Sequence, residues 1–199
     1  MIRCIIFDLS EVLIAGLVGI EKALSQELPV PEDEILPCFG GYLRDELFVG
    51  DISEDTYLRQ IIAREEWAIS TARLRTVIRD NFHREVEGTL PILTELGSRC
   101  ELALLSDHAR EWIAYIESIH PFLEVFEHTF YSYDLGKLKR EPGTFLDVLD
   151  AISLPPRSCL FVDDNPVNVA VARSVDIPSV RFVNAEQLTA ELERRLAVT

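Results

Sequence analysis

The sequence predicts an α/β fold: a doubly wound parallel sheet carrying an inserted small helical cap. Three observations lead there. Short apolar runs recur along the chain without polar alternation, as strands buried on both faces require. Segments of helical period separate these runs with short links, a pattern that predicts right-handed crossovers between parallel strands. One interval, from Ala15 to Glu85, is helical almost throughout and too long for a simple crossover. The core is therefore expected over residues 1–14 and 86–199, with the cap over 15–85.

The elements follow in order. Arg3–Leu9 is the first strand, with Ile5, Ile6 and Phe7 consecutive and apolar. Inside the insert, Pro29-Val30-Pro31 and Phe39-Gly40-Gly41 read as turns. Thr89–Leu96 sets Leu90, Leu93 and Leu96 at helical spacing, and Leu102–Ser106 is the second strand. Glu111–Ile119 gathers Trp112, Ile113 and Ile116 on one side before a third strand at Thr129–Ser132. The helix Pro142–Ile152, with Phe145, Val148 and Leu149 inward, precedes the strand Cys159–Asp163. Asn165–Val175, a strand at Ser179–Val183 and a last helix at Ala185–Leu196 complete the set. No internal repeat or low-complexity tract interrupts them.

Composition bounds the function. A chain of 199 residues, 48% of them hydrophobic, buries one ordinary core with room for a small insert. Its 34 acidic residues outnumber 19 basic ones, and the resulting charge of −15 repels nucleic acid and anionic membranes. An anionic substrate needs local cations. Cys4, Cys38, Cys100 and Cys159 form no CxxC pair and read as buried thiols of a reducing compartment. Strand-like residues begin at Ile2, where a leader peptide is not expected, and no apolar run has the length of a bilayer span. A cytoplasmic protein, monomer or homodimer, is the expectation.

Polar residues cluster where a doubly wound sheet binds ligands, at the carboxyl ends of its strands. Asp8 ends the first strand, Ser106 and Asp107 the second, Lys139 follows the third, and Asp163-Asp164 end the fourth. A carboxylate at the end of a buried strand is costly without a partner. A divalent cation is the natural one, and oxygen donors alone suit a hard ion such as Mg²⁺, which also binds phosphate. A lysine and a hydroxyl beside it would hold an anionic group. Any one strand-end aspartate is explained by capping or a turn. Four coincident strand ends are not.

With these residues in place, the chain resembles the haloacid dehalogenase-like hydrolase superfamily. FDLSEVL is similar to its first motif, LLSDH to its second, SYDLGKLKREPGTF to its third and LFVDDNPVNVAVAR to its fourth, in order from Ile5 to Arg173. The cap passage LFVGDISEDTYLRQII and the fourth motif look most like the subgroup of glucose-1-phosphate phosphatase and the N-terminal domain of epoxide hydrolases. The resemblance implies a Rossmann-like core and a Mg²⁺-dependent phosphatase acting on a small phosphorylated metabolite. It matches Asp8 to the nucleophile that becomes an aspartyl-phosphate. Ser106 and Lys139 match the groups that hold the phosphoryl oxygens, with Asp107 beside them in the substrate set. Asp8, the backbone carbonyl of Ser10, Asp163 and Asp164 match the metal ligands, Asp164 foremost, and Asn168 the outer shell. The spacing from Gly136 selects Lys139 over Lys137.

Ser10 is the main departure, because the superfamily's phosphatases carry a general acid two residues after the nucleophile and serine does not titrate near neutrality. Three readings follow: a phosphatase of reduced rate, an inactive phosphate-binding or regulatory protein, and a dehalogenase attacking carbon. The first is preferred. The pair Asp163-Asp164 argues against the last. Glu11 is a weak replacement acid if the backbone there is extended. Arg140 is read as surface charge, and Asp176 as a turn residue that tolerates left-handed backbone. The cap is expected to select the substrate, with Phe39, Tyr42, Arg44 and Phe48 as candidates and Arg44 as a binding residue; core packing is the preferred reading for most of the aromatics. Each of the four histidines, His83, His108, His120 and His128, is read as a surface or satisfied side chain; His108 alone lies near a motif, where it could touch bound phosphate.

Overall fold

A computed structural model describes residues 1–196. Among these residues five strands, β1 (Cys4–Phe7), β2 (Glu101–Ser106), β3 (His128–Tyr131), β4 (Cys159–Asp163) and β5 (Ser179–Arg181), form one parallel sheet in the order β3-β2-β1-β4-β5. The central strand shows why its sequence is apolar on both sides. Ile5 and Phe7 enter one buried cluster, whereas Cys4 and Ile6 enter another. The second cluster packs against α9 (Pro142–Ile152) through Phe145 and Val148, and against α10 (Pro166–Ser174) through Ala172.

The opposite face carries α6 (Thr89–Leu96), α7 (Arg110–Ile119) and α11 (Ala185–Leu196), and it continues without a break into the insert. The insert contributes α1 (Ile20–Leu24), α2 (Glu32–Ile35), α3 (Tyr42–Phe48), α4 (Glu54–Arg64) and α5 (Thr71–Phe82). Ser53 and Ser70 start α4 and α5 by accepting hydrogen bonds from Thr56 N and Arg73 N. Leu58, Ile61, Leu74 and Ile78 from these helices share one apolar cluster with Phe7 and Leu104 of the sheet. The insert therefore rests on the core rather than on a separate core of its own. Where the chain enters and leaves it, Ala15 N donates to Arg84 O at 2.7 Å and Val86 N to Leu13 O at 2.9 Å, clasping the two connections together.

Strand ends fall short of the expected limits at β1 and β5. β1 ends at Phe7, two residues before the expected limit at Leu9: Asp8 N still donates to Val162 O, but Leu9 N is drawn off to Asp8 Oδ1 at 2.7 Å instead of continuing the ladder. At β5, Val183 N is drawn off to the Gln187 side chain instead of continuing the ladder. Asp176 adopts φ 64°, the left-handed turn expected of it. No helix among the described residues is long and apolar enough to cross a membrane.

Candidate active site

Strand register builds the site. Phe7 pairs with Val162, which sets Asp8 level with Asp163 at the carboxyl edge, and Asp8 N donates to Val162 O at 2.9 Å. Lys139 arrives from the loop after the short helix α8 (Ser132–Leu135). Its Nζ lies 2.6 Å from Asp8 Oδ1 and 2.8 Å from Asp163 Oδ2. Lys137, two residues earlier, turns away to Asp147. The Lys139 backbone is fixed as well, because both oxygens of Asp107 accept its N–H at 3.1 Å. Asp107 thus spends its carboxylate on the lysine loop.

The remaining carboxylates complete the cluster. Asp163 accepts from Asn165 N at 2.8 Å and from Asn168 Nδ2 at 3.1 Å, so Asn168 orients it from behind. Oxygens of Asp8, Asp163 and Asp164 come within 4.8 Å of one another. Burial drives the Asp8 carboxyl well above its usual range, against the pull of Lys139 and with added repulsion from Asp163. Asp164 is raised by burial and by Asp163. Burial alone would lower Lys139, but Asp163, Asp8 and Asp107 together outweigh it and keep the ammonium charged. An oxygen-only donor set of this kind fits a hard divalent cation. At the neighbouring strand end, Ser106 Oγ is buried and has no hydrogen-bond partner among the described residues, a polar atom left free for a ligand.

Ser10 sits beside Asp8 with an unexpected companion. Its Oγ is 3.3 Å from Nε2 of His108, and that ring is enclosed by Phe48, Phe82 and Trp112 at centroid distances of 6.0, 5.6 and 5.5 Å. An aromatic box holds the ring, and its contact toward the site is with Ser10. Burial pushes its pKa down to about 3, with Lys139 acting in the same direction, so the imidazole is neutral. Glu11 also differs from expectation. Its backbone is left-handed rather than extended, and its carboxylate accepts Gly16 N at 2.8 Å and Val18 N at 3.3 Å, tying down the loop into the cap. His120, too, is buried, with Nε2 bonded to Phe82 O.

The cap closes the other side. A cleft of about 550 Å³ brings Asp8, Ser10, Asp107, Lys139, Asp164 and Asn168 together with Arg44, Asp45 and Phe48 of α3. Arg44 lies over the Phe48 ring at 5.9 Å. Phe39 does not line this cleft; it is core, packed on Trp67, with its carbonyl accepting Tyr57 OH. Tyr42 is 77% exposed and also stands outside it. Arg140, expected as mere surface charge, lines the cleft and pairs with Asp45 at 2.8 Å, joining the core to the cap. Arg181, which sequence reasoning passed over, donates to Asp164 O at 3.2 Å. So did a buried cluster further back. Glu54 of the cap accepts from Trp112 Nε1 of α7 at 2.9 Å and from Arg75 and Arg79 of α5 at 2.9 and 3.1 Å. Only its position at the start of α4, beside Asp55, was visible in the sequence.

Comparisons with known proteins agree with this architecture. Flavin mononucleotide hydrolase 1 of Arabidopsis thaliana is 32% identical over 81 residues, a match spanning 41% of this chain and 33% of that protein's length. A HAD-like family hydrolase structure from Porphyromonas gingivalis superposes with a TM-score of 0.77 at 21% identity over 100% of both chains. A HAD family enzyme from Bacteroides thetaiotaomicron, solved with magnesium and inorganic phosphate, gives 0.72 at 21% identity over 92% of this chain and 96% of its own. These structural likenesses speak for the fold. Residues 2–176, which hold all four motifs and four of the five strands, match the model of the haloacid dehalogenase-like hydrolases, and the chain belongs to that family.

Proposed function

We propose that this hydrolase is a phosphatase acting on a small phosphorylated metabolite, with Asp8 as its nucleophile. The observation that carries the reading is Lys139, an ammonium 2% exposed and set between Asp8 and Asp163, with the unpartnered hydroxyl of Ser106 at the neighbouring strand end. An Asp8 oxygen attacks phosphorus, the bond to the alcohol oxygen breaks, and an aspartyl-phosphate forms. Water then attacks phosphorus and returns Asp8 as a carboxylate. Ser106 donates to a phosphoryl oxygen while Lys139 offsets the charge gathered in the transition state. Asp107 and Asn168 act by holding Lys139 and Asp163 in place.

Asp8, Asp163, Asp164 and the Ser10 carbonyl are the donors that would hold Mg²⁺, which supplies positive charge against the phosphoryl group when bound. The named activity of the Arabidopsis relative and the ligands of the Bacteroides enzyme are in keeping with phosphoryl chemistry, and the pair Asp163-Asp164 argues against attack on carbon. The cap residues Arg44 and Phe48 meet the rest of the metabolite. The acidic chain supports no nucleic acid or membrane partner, and a cytoplasmic monomer or homodimer is proposed. Ser10 favours one competing reading, a protein that binds phosphate without turnover. Hydrolysis of an aryl phosphate decides between them, since its leaving group needs little protonation. Mg²⁺-dependent turnover in the wild type, absent from Asp8→Asn, is the expected result; equal rates in the two proteins would leave the binding reading standing.

A further inference from the structure

Ser10 stands two residues after the proposed nucleophile Asp8 and lines the same cleft, and its hydroxyl has defined neighbours. On one side is His108 Nε2 at 3.3 Å. Across from it the chain returns at Gly16, so close that a Cβ there would fall 2.8 Å from Ser10 Cβ and 2.9 Å from its Oγ. Ser10 also lines the cleft with Asp8. The hydroxyl thus has the imidazole and the Gly16 backbone as close neighbours in a residue that lines the cleft.

The imidazole decides where the serine proton goes. Its Nδ1 is buried with no partner among the described residues. A neutral ring has one N–H and one bare nitrogen. Orphaned buried N–H groups are rarer in proteins than underused acceptors, so the bare nitrogen belongs at Nδ1 and the proton at Nε2. Nε2–H then donates to Ser10 Oγ, and the serine's own O–H is left to donate elsewhere. The reverse tautomer would both strand a buried N–H and turn the serine proton inward, away from the cleft.

We propose that Ser10 is a catalytic hydrogen-bond donor to the leaving-group oxygen and that His108 is its positioning residue, holding the serine oxygen as acceptor so that its proton faces the substrate. This rests on the phosphatase reading of the site. Ser10 keeps its proton throughout. As the Asp8–phosphorus bond forms and the phosphorus–oxygen bond breaks, the departing oxygen takes the electron pair, leans on the serine O–H, and is finally protonated by water. The chain replaces a proton donor by a fixed dipole, which aids alkyl leaving groups more than aryl ones because more charge collects on the alkyl oxygen.

The test compares kcat on an alkyl and an aryl phosphate for Mg²⁺-supplied wild type, Ser10→Ala, His108→Phe and the double variant. Phenylalanine keeps a flat ring among Phe48, Phe82 and Trp112 and removes the Nε2–H. Each single change is expected to lower the alkyl-to-aryl ratio about tenfold, the worth of one hydrogen bond. The double variant should be no lower than Ser10→Ala, since both changes delete the same interaction. A ratio unmoved by Ser10→Ala, a His108→Phe loss equal on both substrates, or additive losses in the double variant would overturn the proposal. Nitrogen-15 NMR of the histidine rings in the wild type gives a second reading that needs no variant to fold: a protonated Nε2 and bare Nδ1 at His108 are expected, and the opposite tautomer refutes it. If the wild type turns over aryl phosphate no faster than Asp8→Asn, the phosphatase reading fails and takes this proposal with it. Aryl turnover with an unmoved ratio defeats the proposal alone.

Discussion

Replacing Lys139 by methionine removes the ammonium while keeping an unbranched stem. In the wild type that ammonium is 2% exposed, so water screens little of its contact with Asp8 at 2.6 Å or Asp163 at 2.8 Å. Removing one partner of a buried ion pair typically costs about 3–5 kcal/mol, because the other charge stays buried and unpaired. For a domain of this size each kcal/mol moves the melting temperature by about 2–4 °C, so Lys139→Met should melt roughly 6–20 °C lower in chelator. The variant should also gain more from Mg²⁺ than the wild type. Three carboxylates within 4.8 Å of one another would then lack any cation but the added one. At a concentration about 100 times its Kd, an ion that binds only the native state restores about 2.7 kcal/mol. Calorimetric melts of both proteins in EDTA and in Mg²⁺ measure the four temperatures. A fall under about 3 °C in EDTA, or equal gains from Mg²⁺ in the two proteins, would refute the reasoning, since about 1 kcal/mol is what an exposed pair contributes.

Glu54→Ala leaves Trp112 Nε1 without its acceptor and two arginines without their shared carboxylate, and should cost about 3–5 kcal/mol in urea melts; a loss under about 1 kcal/mol would show that the cap and core do not depend on this cluster. Ser10→Asp supplies a true proton donor and should speed alkyl phosphate hydrolysis about 100-fold, with a smaller gain on aryl phosphates, in steady-state assays. Cys4 and Cys159 are fully buried register partners on adjacent strands, whereas Cys38 and Cys100, expected as buried thiols, are only half-buried; burial raises all four thiols, so access decides their reactivity. Iodoacetamide followed by peptide mass mapping should label Cys38 and Cys100 in the native protein and reach Cys4 and Cys159 only after denaturation.

Much of the fold was legible because the sheet is covered on both faces. Buried strands such as Cys4–Phe7 and Cys159–Asp163 cannot alternate, and the helices between them show their inward faces plainly, as Phe145 and Val148 do. What composition cannot report is how the insert packs. Leu58 and Leu74 look alike whether they build a separate core or join that of the sheet, and only the structure shows them in one cluster with Phe7. The site divides in the same way. Strand ends are local features, so Asp8, Ser106 and Asp163-Asp164 stand out at once, and spacing from Gly136 distinguishes the inward Lys139 from Lys137. His108 and Glu54 act on residues 98 and 58 positions away, at distances set by packing, and nothing in their neighbours' sequence marks them.

The charge of the chain then bears on what the site needs. A surplus of −15 repels a phosphate ester before it arrives, and the cleft's cations must offset it. Yet most of them are already engaged: Lys139 lies between Asp8 and Asp163, Arg140 is held by Asp45, and Arg181 donates to the Asp164 carbonyl. Of the four cations lining the cleft, Arg44 alone makes neither an ion pair nor a side-chain hydrogen bond among the described residues; it rests on the Phe48 ring and belongs to the cap wall rather than to the strand ends. At those strand ends the carboxylates of Asp8, Asp163 and Asp164 outnumber the one ammonium, so a dianionic phosphoryl group entering beside them meets a net negative field. Only an added divalent charge reverses that sign. On the phosphatase reading, the carboxylate crowding that disfavours an anionic substrate is the same feature that favours a divalent cation, so substrate affinity is expected to rise with added Mg²⁺ through charge alone.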